Sequence, residues 1–293
     1  MLELNMGRSV LVTGAGGSIG RPVCHSLEQA GWKVWRHTRR PAPGSSIAGD
    51  LCDPDVLERT ASHLHPAAVI HVAAVFPGVA NADNNPLANE QMLDSLTRWM
   101  KRRGVASCLL ASSCAVYGGA GPPCTEDTGP SPQGWYAEGK LSAERALAGA
   151  PWRSVSLRIA APYGPHPAVP TVVHRFLKSA AAGEDITLWG SGARTQHFVH
   201  VTDVARAFVL ALESEAAGVF NVSGPAPASM AELAAACIKA TRSRSHVRCT
   251  GDDPQESYRG FFPWEKAHAA FGYTPAISLE DGLALTAREM GLI

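Results

Sequence analysis

The stretch TGAGGSIG, residues 13–20, lies between a β-branched run and an amphipathic helical pattern, and it decides the fold of this chain. Its glycines recur at three-residue intervals, and glycine permits both a tight turn and the close approach of a backbone to pyrophosphate. Free N–H groups at the start of the helix attract that anion. Because a strand and a helix flank the glycines, we predict a dinucleotide site rather than an unliganded turn. The predicted contacts from this stretch are Gly14, Gly17, Ser18, Ile19 and Gly20.

Strand and helix patterns alternate outward from this turn. The predicted strands span residues 10–13, 33–36, 68–74, 107–112, 154–159 and 219–222, and the predicted helices span residues 21–30 and about 86–103. Such alternation predicts an α/β protein with a Rossmann-type, doubly wound parallel sheet. We expect residues 1–162 to form the NADP-binding domain, with its sheet completed by about 196–224. Residues 163–195 and 225–293 are expected to form a smaller C-terminal substrate-binding lobe.

Composition restricts the possible partners and compartment. Of the 293 residues, 45% are hydrophobic and 18% are charged, which suits a globular protein with a substantial core. Basic and acidic residues both total 26, so no global field favours nucleic acid or an anionic membrane. The seven cysteines form no C-x-x-C pair, and neither a signal peptide nor a membrane span is evident. We therefore expect a cytoplasmic protein without a metal site, whose partner is a small-molecule substrate.

The segment VWRHTRRP, residues 34–41, contains the end of the second predicted strand and indicates which dinucleotide the protein binds. A carboxylate there would bind the ribose hydroxyls of NAD, but this chain has Thr38 followed by Arg39 and Arg40. Arginines pair with the additional 2′-phosphate of NADP, so we expect NADP(H), with NAD(H) less favoured. The alternative is an ordinary solvated basic turn. After the next strand, Asp50 and Leu51 are expected to flank the adenine.

The catalytic candidates lie in the segment YAEGK and at the end of the strand before it. Tyr136 and Lys140 are four residues apart, on one face of a helix. An ammonium group near a phenol favours the phenolate, so we expect Lys140 to lower the pKa of Tyr136 from its ordinary value of ~10. In SSCAVYG, Ser112 and Ser113 can each donate a hydrogen bond to a substrate oxygen. Each of these pieces also occurs by chance in proteins with no such activity.

Together with the glycine turn, these segments resemble the extended short-chain dehydrogenase/reductase family, also called the NAD-dependent epimerase/dehydratase family. The matching segments, in family order, are TGAGGSIG, GDLCD, HVAA, SSCAVYG, TEDTGPSP, YAEGK, LRIAAPYGP, GSGARTQHFVHVTDVA, FNVSGP and FGYTPAISLEDGL. The resemblance implies that Ser113 is the triad serine, that Tyr136 transfers the proton, and that Lys140 tunes Tyr136 and holds the nicotinamide ribose. It also implies that Ala73 of HVAA contacts the cofactor, that Asn89 helps to organise the site, and that hydride passes between the nicotinamide and a carbinol or ketone carbon.

The resemblance also bears on the reaction. Dehydratases of the family carry an Asp-Glu pair directly after the active hydroxyl residue, whereas this chain has Cys114 and Ala115, so dehydration is disfavoured. Cys114 either contacts substrate as a second proton carrier or packs beside the site. Arg39 and Arg40 favour net reduction with NADPH, so we expect a ketoreductase acting on a nucleotide-linked sugar of the 4-keto-hexose class. A sugar-nucleotide 4-epimerase is the first alternative.

The substrate is less well defined by the sequence. Sugar-nucleotide members of the family commonly hold the diphosphate with an asparagine and an arginine at the places of Ala161 and Gln196. Losing such contacts to a buried diphosphate weakens binding unless other groups replace them, and Arg194 lies two residues before Gln196. The predicted substrate contacts are Asn89, Cys114, Arg194 and Gln196. The further alternatives are a reductase of a small non-nucleotide ketone and a catalytically idle NADP-binding sensor, although a sensor has no need of the complete triad.

Two remaining patterns concern assembly and metal binding. Leu93, Leu96, Trp99 and Met100 recur at helical spacing and form either core or a dimer face. Because the family commonly pairs helices of this type, we expect a homodimer. His71 and His200 follow family patterns and are expected to satisfy backbone hydrogen bonds rather than to bind metal.

Overall fold

The computed structural model describes residues 8–78, 85–167 and 169–293. The strands are β1 (Ser9–Thr13), β2 (Lys33–Thr38), β3 (Ile47–Ala48), β4 (Ala68–His71), β5 (Ser107–Ser113), β6 (Arg153–Ile159), β7 (Ala161–Tyr163), β8 (Ile186–Trp189), β9 (Thr195–Gln196), β10 (Phe198–His200), β11 (Gly218–Val222), β12 (Ala228–Ser229) and β13 (Val247–Thr250). The helices are α1 (Gly20–Gln29), α2 (Val56–Ala61), α3 (Ala88–Arg103), α4 (Trp135–Ala148), α5 (Val172–Ala181), α6 (Val201–Glu213), α7 (Met230–Ala240), α8 (Glu265–Phe271) and α9 (Leu279–Glu289). A 3₁₀ turn at Cys114–Tyr117 follows β5.

The central sheet has seven strands in the order β11-β6-β5-β4-β1-β2-β3, and every neighbouring pair is parallel. The predicted doubly wound fold is therefore confirmed, and all six predicted strands lie in this sheet. The sequence defined no bounds for the strand expected before Asp50, which is β3 and is only two residues long. It also carried the third predicted strand to Ala74, whereas β4 ends at His71 and residues 72–74 turn aside to line a cavity.

Alternating side chains of the sheet support a hydrophobic core on each face. On β1, Val10 and Val12 pack with residues of α1 and α6, whereas Leu11 faces residues of α2 and α3. All three side chains are fully buried. Truncating such a residue to alanine typically costs about 2–5 kcal/mol, because a cavity remains. The two cores therefore stabilise the central sheet from both faces, including its carboxyl edge.

A third buried cluster lies beside the sheet, in the region where the sequence predicts a smaller lobe. It is built on α5, α7 and α9, with Leu177, Leu233 and Leu283 fully buried. Three two-stranded sheets accompany these helices, β10 with β7, β12 with β9, and β13 with β8. The division of the chain into a domain and a lobe at the predicted boundaries stays a prediction.

The apolar face of α3 belongs to the core of the single chain. Leu93, Leu96, Trp99 and Met100 are between 0% and 5% exposed, so they pack internally instead of forming a dimer face.

Across the ranges that the structure describes, no helix combines the length and the apolar character needed to cross a bilayer.

Candidate active site

A cavity of about 500 Å³ opens at the carboxyl edge of the central sheet. Ligands of open α/β sheets bind at this edge, because the loops that follow parallel strands converge there. Six strands of the central sheet contribute their ends or the turns after them to its walls, namely β1, β2, β3, β4, β5 and β6. The predicted dinucleotide turn and the predicted catalytic residues therefore open into one space.

The glycine turn is shaped as a phosphate cradle. Gly14 has a φ of +67°, and a Cβ there would lie 2.7 Å from the Ala73 Cα. A Cβ on Gly20 would overlap the Gly14 carbonyl oxygen, which already accepts a hydrogen bond from the Gly17 N–H at 3.0 Å. No side chain caps the start of α1, which begins at Gly20 and has no acidic residue in its first turn. This backbone suits the pyrophosphate of a dinucleotide, since its N–H groups and helix dipole attract an anion.

The end of β2 presents one arginine to the cavity. Arg39 is exposed and lines the cavity together with Thr38, whereas Arg40 is exposed outside it. The Thr38 hydroxyl donates a hydrogen bond to the Arg40 carbonyl at 2.7 Å. The third arginine of this stretch, Arg36, is instead paired with Glu28 at 2.7 Å. Only Arg39 of the three is therefore positioned to meet a ligand phosphate.

The turn after β3 and the segment after β4 complete the end of the cavity at which the sequence predicts the adenine. Asp50 and Leu51 both line it, and Leu51 is buried. The Asp50 carboxylate accepts a hydrogen bond from the Cys52 N–H at 3.0 Å, which stabilises the turn. Ala73 also lines the cavity, and its N–H donates to the Thr13 hydroxyl at 3.3 Å. The structure thus brings these predicted cofactor contacts to the cavity, while contact with a cofactor stays a prediction.

The three predicted catalytic residues lie together in the cavity wall. Tyr136 and Lys140 project from consecutive turns of α4, and the Lys140 ammonium lies 5.8 Å from the centre of the Tyr136 ring. The ammonium is buried and donates a hydrogen bond to the Ala111 carbonyl at 2.7 Å. Ser113 ends β5, where its hydroxyl accepts a hydrogen bond from the Ala115 N–H at 3.1 Å. A phenol, a hydroxyl and an ammonium therefore converge on one region, although their chemical roles stay predictions.

The protonation of this group is governed by burial. Desolvation raises the pKa of Tyr136 above its ordinary value, and a hydrogen bond with Ser113 opposes that shift. The direction is opposite to the one expected from the sequence, because the cost of burying a phenolate outweighs the hydrogen bond with Ser113. Desolvation also lowers the pKa of Lys140 to about 8, against the attraction of Glu144. Tyr136 is therefore protonated near pH 7 and suited to donate a proton.

Asn89 and Cys114 support the cavity from behind its surface. The Asn89 amide accepts a hydrogen bond from the Val75 N–H and donates one to the Val75 carbonyl, both at 2.8 Å. It thereby holds Val75, which lines the cavity. Cys114 is buried, and its thiol donates to the Arg158 carbonyl at 3.3 Å. Burial raises the pKa of this thiol, which keeps it protonated. Neither residue lines the cavity, and their predicted contact with substrate stays a prediction.

Arg194 and Gln196 lie outside the cavity lining. The Arg194 guanidinium pairs with Asp253 at 3.1 Å and donates a hydrogen bond to the Gln255 side chain at 2.7 Å. Gln196 belongs to β9 and lies opposite Ala228 of β12. The arginine expected to replace a family phosphate contact is therefore engaged within the chain itself.

Several cavity residues were missed by the sequence reading. Val75, Phe76 and Tyr163 form apolar parts of the wall, and His174 lines it from α5. The His174 ring bonds the Thr171 hydroxyl at 2.8 Å and the carbonyl of residue 164 at 2.6 Å. The T-x-x-H spacing at the start of α5 was the signal that could have indicated this cap.

The two histidines expected to be structural have different partners. His71 bonds the Thr13 hydroxyl at 2.8 Å, so its partner is a side chain rather than the expected backbone. His200 accepts a hydrogen bond from the Thr202 N–H at 3.3 Å and caps the start of α6. Within residues 8–78, 85–167 and 169–293, no three His, Cys, Asp or Glu side chains form a group able to hold a metal ion.

Comparison with known proteins agrees with this geometry. The family model described as the NAD dependent epimerase/dehydratase family matches residues 10–223. The chain is 27% identical to a dTDP-4-dehydro-6-deoxy-D-allose reductase of Streptomyces bikiniensis, over 96% of each protein. It is also similar to the crystal structure of UDP-glucose 4-epimerase from Thermotoga maritima with UDP-glucose, with a TM-score of 0.86 and 25% identity over 96% of this chain and 98% of that one. For the Thermus thermophilus UDP-glucose 4-epimerase in complex with NAD, the TM-score is 0.84 and the identity 26%, over 97% and 99%.

Proposed function

Because the chain belongs to the NAD-dependent epimerase/dehydratase family, we propose that it is an NADP(H)-dependent ketoreductase that acts on a nucleotide-linked sugar of the 4-keto-hexose class. The observation that carries the proposal is the convergence of the half-buried Tyr136 phenol, the Ser113 hydroxyl and the Lys140 ammonium in the wall of one cavity. A proton donor of this kind is what the reduction of a ketone requires. The reductase among the relatives, which matches nearly the whole chain, supports the same reaction.

The bound dinucleotide would supply the hydride, and its pyrophosphate would be held by the turn at residues 14–20. Ser113 would hold the ketone oxygen by a hydrogen bond, and Tyr136 would protonate that oxygen as charge develops on it. The Lys140 ammonium would stabilise the resulting phenolate, because an opposite charge nearby favours the ionised form. Burial of Lys140 strengthens this attraction relative to that in water.

Arg39 is the basis for proposing NADP(H). It lines the cavity next to Thr38, where NAD-specific proteins carry an acid, and a guanidinium group can pair with the 2′-phosphate. The Thermus relative, in contrast, is a complex with NAD. Isothermal titration of NADPH and NADH into the protein and its Arg39→Ala variant tests the choice. We expect Arg39→Ala to weaken NADPH binding at least about tenfold and to leave NADH binding nearly unchanged.

Arg40→Ala is the matched control for this titration, because Arg40 lies outside the cavity. It should weaken NADPH binding by less than about threefold. Tighter binding of NADH than of NADPH by the unmodified protein would overturn the proposal of NADP(H) and leave the dinucleotide site itself intact.

A sugar-nucleotide 4-epimerase is the second candidate, supported by the full-length similarity to two UDP-glucose 4-epimerases. In that reaction Tyr136 would take the proton from a substrate hydroxyl while the hydride of the same carbon passes to the oxidised dinucleotide, and both would then be returned to the ketone on its opposite face, with no net consumption of cofactor. Incubation with UDP-glucose and catalytic dinucleotide separates the two reactions. Appearance of UDP-galactose would favour epimerisation, whereas net oxidation of NADPH by a nucleotide-linked 4-keto-hexose would favour reduction.

The lining of the substrate half favours a third candidate, a small uncharged ketone. Among the described residues that line the cavity, Arg39 and Lys140 are the only lysine or arginine side chains, and Arg39 lies at the adenosine end. A stopped-flow panel should therefore include small ketones beside the sugar nucleotides. Oxidation of bound NADPH by small ketones alone would replace the sugar-nucleotide proposal, and oxidation by none would favour the idle sensor. The homodimer expected from the sequence stays a prediction, which analytical ultracentrifugation would test.

A further inference from the structure

One face of α4 carries a third chemically active side chain. Tyr136, Lys140 and Glu144 lie at successive four-residue steps, so they form a row along the helix. Glu144 is 5% exposed, which is unusual for a carboxylate, because removing a charge from water is costly unless other groups compensate for it. The chemistry proposed above makes no use of this charge. Its partners indicate what it does.

Glu144 joins α4 to two strands of the central sheet. The Arg158 guanidinium, from β6, donates to both carboxylate oxygens, with distances of 3.0 and 2.7 Å. The Ser112 hydroxyl, from β5, donates to the same carboxylate. Arg158 also lies 4.7 Å above the centre of the Tyr117 ring. All of these side chains are buried, so solvent ions screen the pairing of their charges only weakly.

The contact with Ser112 is one half of a two-point connection. Lys140 donates to the carbonyl of Ala111, and Glu144 accepts from the side chain of Ser112. Two consecutive residues of β5 are therefore bonded to two consecutive turns of α4. The next residue of the strand is Ser113, which together with Tyr136 forms the reacting end of the site.

We infer that Glu144 is a positioning residue, which holds α4 against the end of β5 so that Tyr136 faces Ser113 and which places a negative charge one helical turn from Lys140. The inference rests on the proposed roles of Tyr136 and Ser113. A misplacement of reacting groups by about 1 Å can cost about 10²-fold in rate, so such a connection has consequences for turnover. Glu144 acts through its neighbours and does not line the cavity.

The charged and titratable groups around Lys140 determine how removal of the Glu144 charge would change the pKa of Lys140. On α4 itself, Tyr136 and Glu144 each lie one helical turn from Lys140. His71 of β4 is close enough for the charge of Lys140 to affect its pKa. Arg158 of β6 is hydrogen-bonded to the Glu144 carboxylate. Burial keeps His71 neutral by lowering its pKa to about 3. Glu144 is the negative charge that opposes desolvation of Lys140. Its neutralisation should therefore lower the pKa of Lys140 further.

The test uses Glu144→Gln, which removes the charge but keeps the size of the side chain, and Ser112→Ala, which removes only the bond to β5. Glu138→Gln is the matched control, because Glu138 is an exposed carboxylate on the same helix. The first readout is the titration of Lys140 by NMR in protein labelled with ¹³C at lysine Cε, assigned with Lys140→Met. Assignment is practical because the chain has few lysines, namely Lys33, Lys101, Lys140, Lys178, Lys239 and Lys266.

The second readout separates binding from chemistry. We expect Glu144→Gln to lower the pKa of Lys140 and to slow single-turnover hydride transfer at least about tenfold, with the Kd for NADPH within about twofold of the unmodified protein. Ser112→Ala should slow hydride transfer without stranding a charge, and Glu138→Gln should change neither quantity. An unchanged Lys140 titration and an unchanged rate in folded Glu144→Gln would overturn the inference. The inference would also be overturned if Ser112→Ala lowered the rate of hydride transfer and the affinity for NADPH by the same factor.

Failure of the proposed function has a different signature. In that case the unmodified protein transfers no hydride to any carbonyl compound, and the NMR titration alone decides the effect of Glu144 on Lys140. If Glu144→Gln does not fold, the rate and affinity of Ser112→Ala decide whether the connection positions the site.

Discussion

Replacing Lys140 by methionine should stabilise the protein at neutral pH while abolishing its proposed activity. The ammonium is 4% exposed, and burial lowers its pKa from 10.5 to about 8. A difference of this size corresponds to about 3 kcal/mol, because one pKa unit equals about 1.4 kcal/mol. At pH 7 both the folded and the unfolded chain hold the proton, so the folded state bears the whole penalty.

The methionine variant loses this penalty but leaves the Ala111 carbonyl without its 2.7 Å donor. An unsatisfied buried acceptor costs about 1–3 kcal/mol, so the net stabilisation at pH 7 should be about 1–2 kcal/mol. Between pH 8 and 10.5 the unfolded chain binds more protons than the folded chain, and the stability of the unmodified protein rises with pH. The advantage of the variant should therefore shrink by about 2 kcal/mol between pH 7 and pH 9.5.

Urea unfolding of both proteins at pH 7 and pH 9.5 measures this difference. Lys101→Met serves as the control, since Lys101 is exposed on α3, and it should change the free energy of unfolding by less than about 0.5 kcal/mol at either pH. A difference between Lys140→Met and the unmodified protein that is the same at both pH values would refute the reasoning. It would mean that burial does not disfavour the charge on Lys140.

Three further predictions concern the site and its frame. Tyr136→Phe should slow single-turnover hydride transfer by ~10²-fold or more while NADPH still binds, and a near-normal rate would remove Tyr136 from the chemistry. Gly14→Ala should weaken NADPH binding at least about tenfold in calorimetry, because its Cβ would lie 2.7 Å from the Ala73 backbone at a φ of +67°; unchanged affinity would contradict the proposed phosphate cradle. Arg153→Met should cost about 2 kcal/mol or more in urea unfolding, because the guanidinium donates to four carbonyls at and after the end of α6, and a loss below about 0.5 kcal/mol would show these bonds to be dispensable.

Features with short-range causes were predictable from the sequence. Gly14 and Gly20 flag a phosphate turn because only glycine tolerates the backbone approach that the turn requires, and the structure shows both approaches. The four-residue spacing of Tyr136 and Lys140 places them on one helical face in any context, because the period of the α-helix determines it. The parallel sheet follows from the alternation of strands and helices, whereas the two residues of β3 carry too little pattern to define its bounds.

Features that depend on distant segments were decided only by the tertiary structure. Arg194 is engaged by Asp253, a partner that spacing along the chain does not reveal. The apolar face of α3 is core rather than a dimer surface because α2 and the sheet cover it.

The direction of the pKa shift of Tyr136 also depends on segments that are distant along the chain. Its pKa moves upward because the segments packed around the phenol remove part of its hydration, and this cost of desolvation exceeds the effect of the hydrogen bond with Ser113. Local geometry is set by a few adjacent residues, but solvation and charge pairing are set by whichever parts of the chain pack around a group.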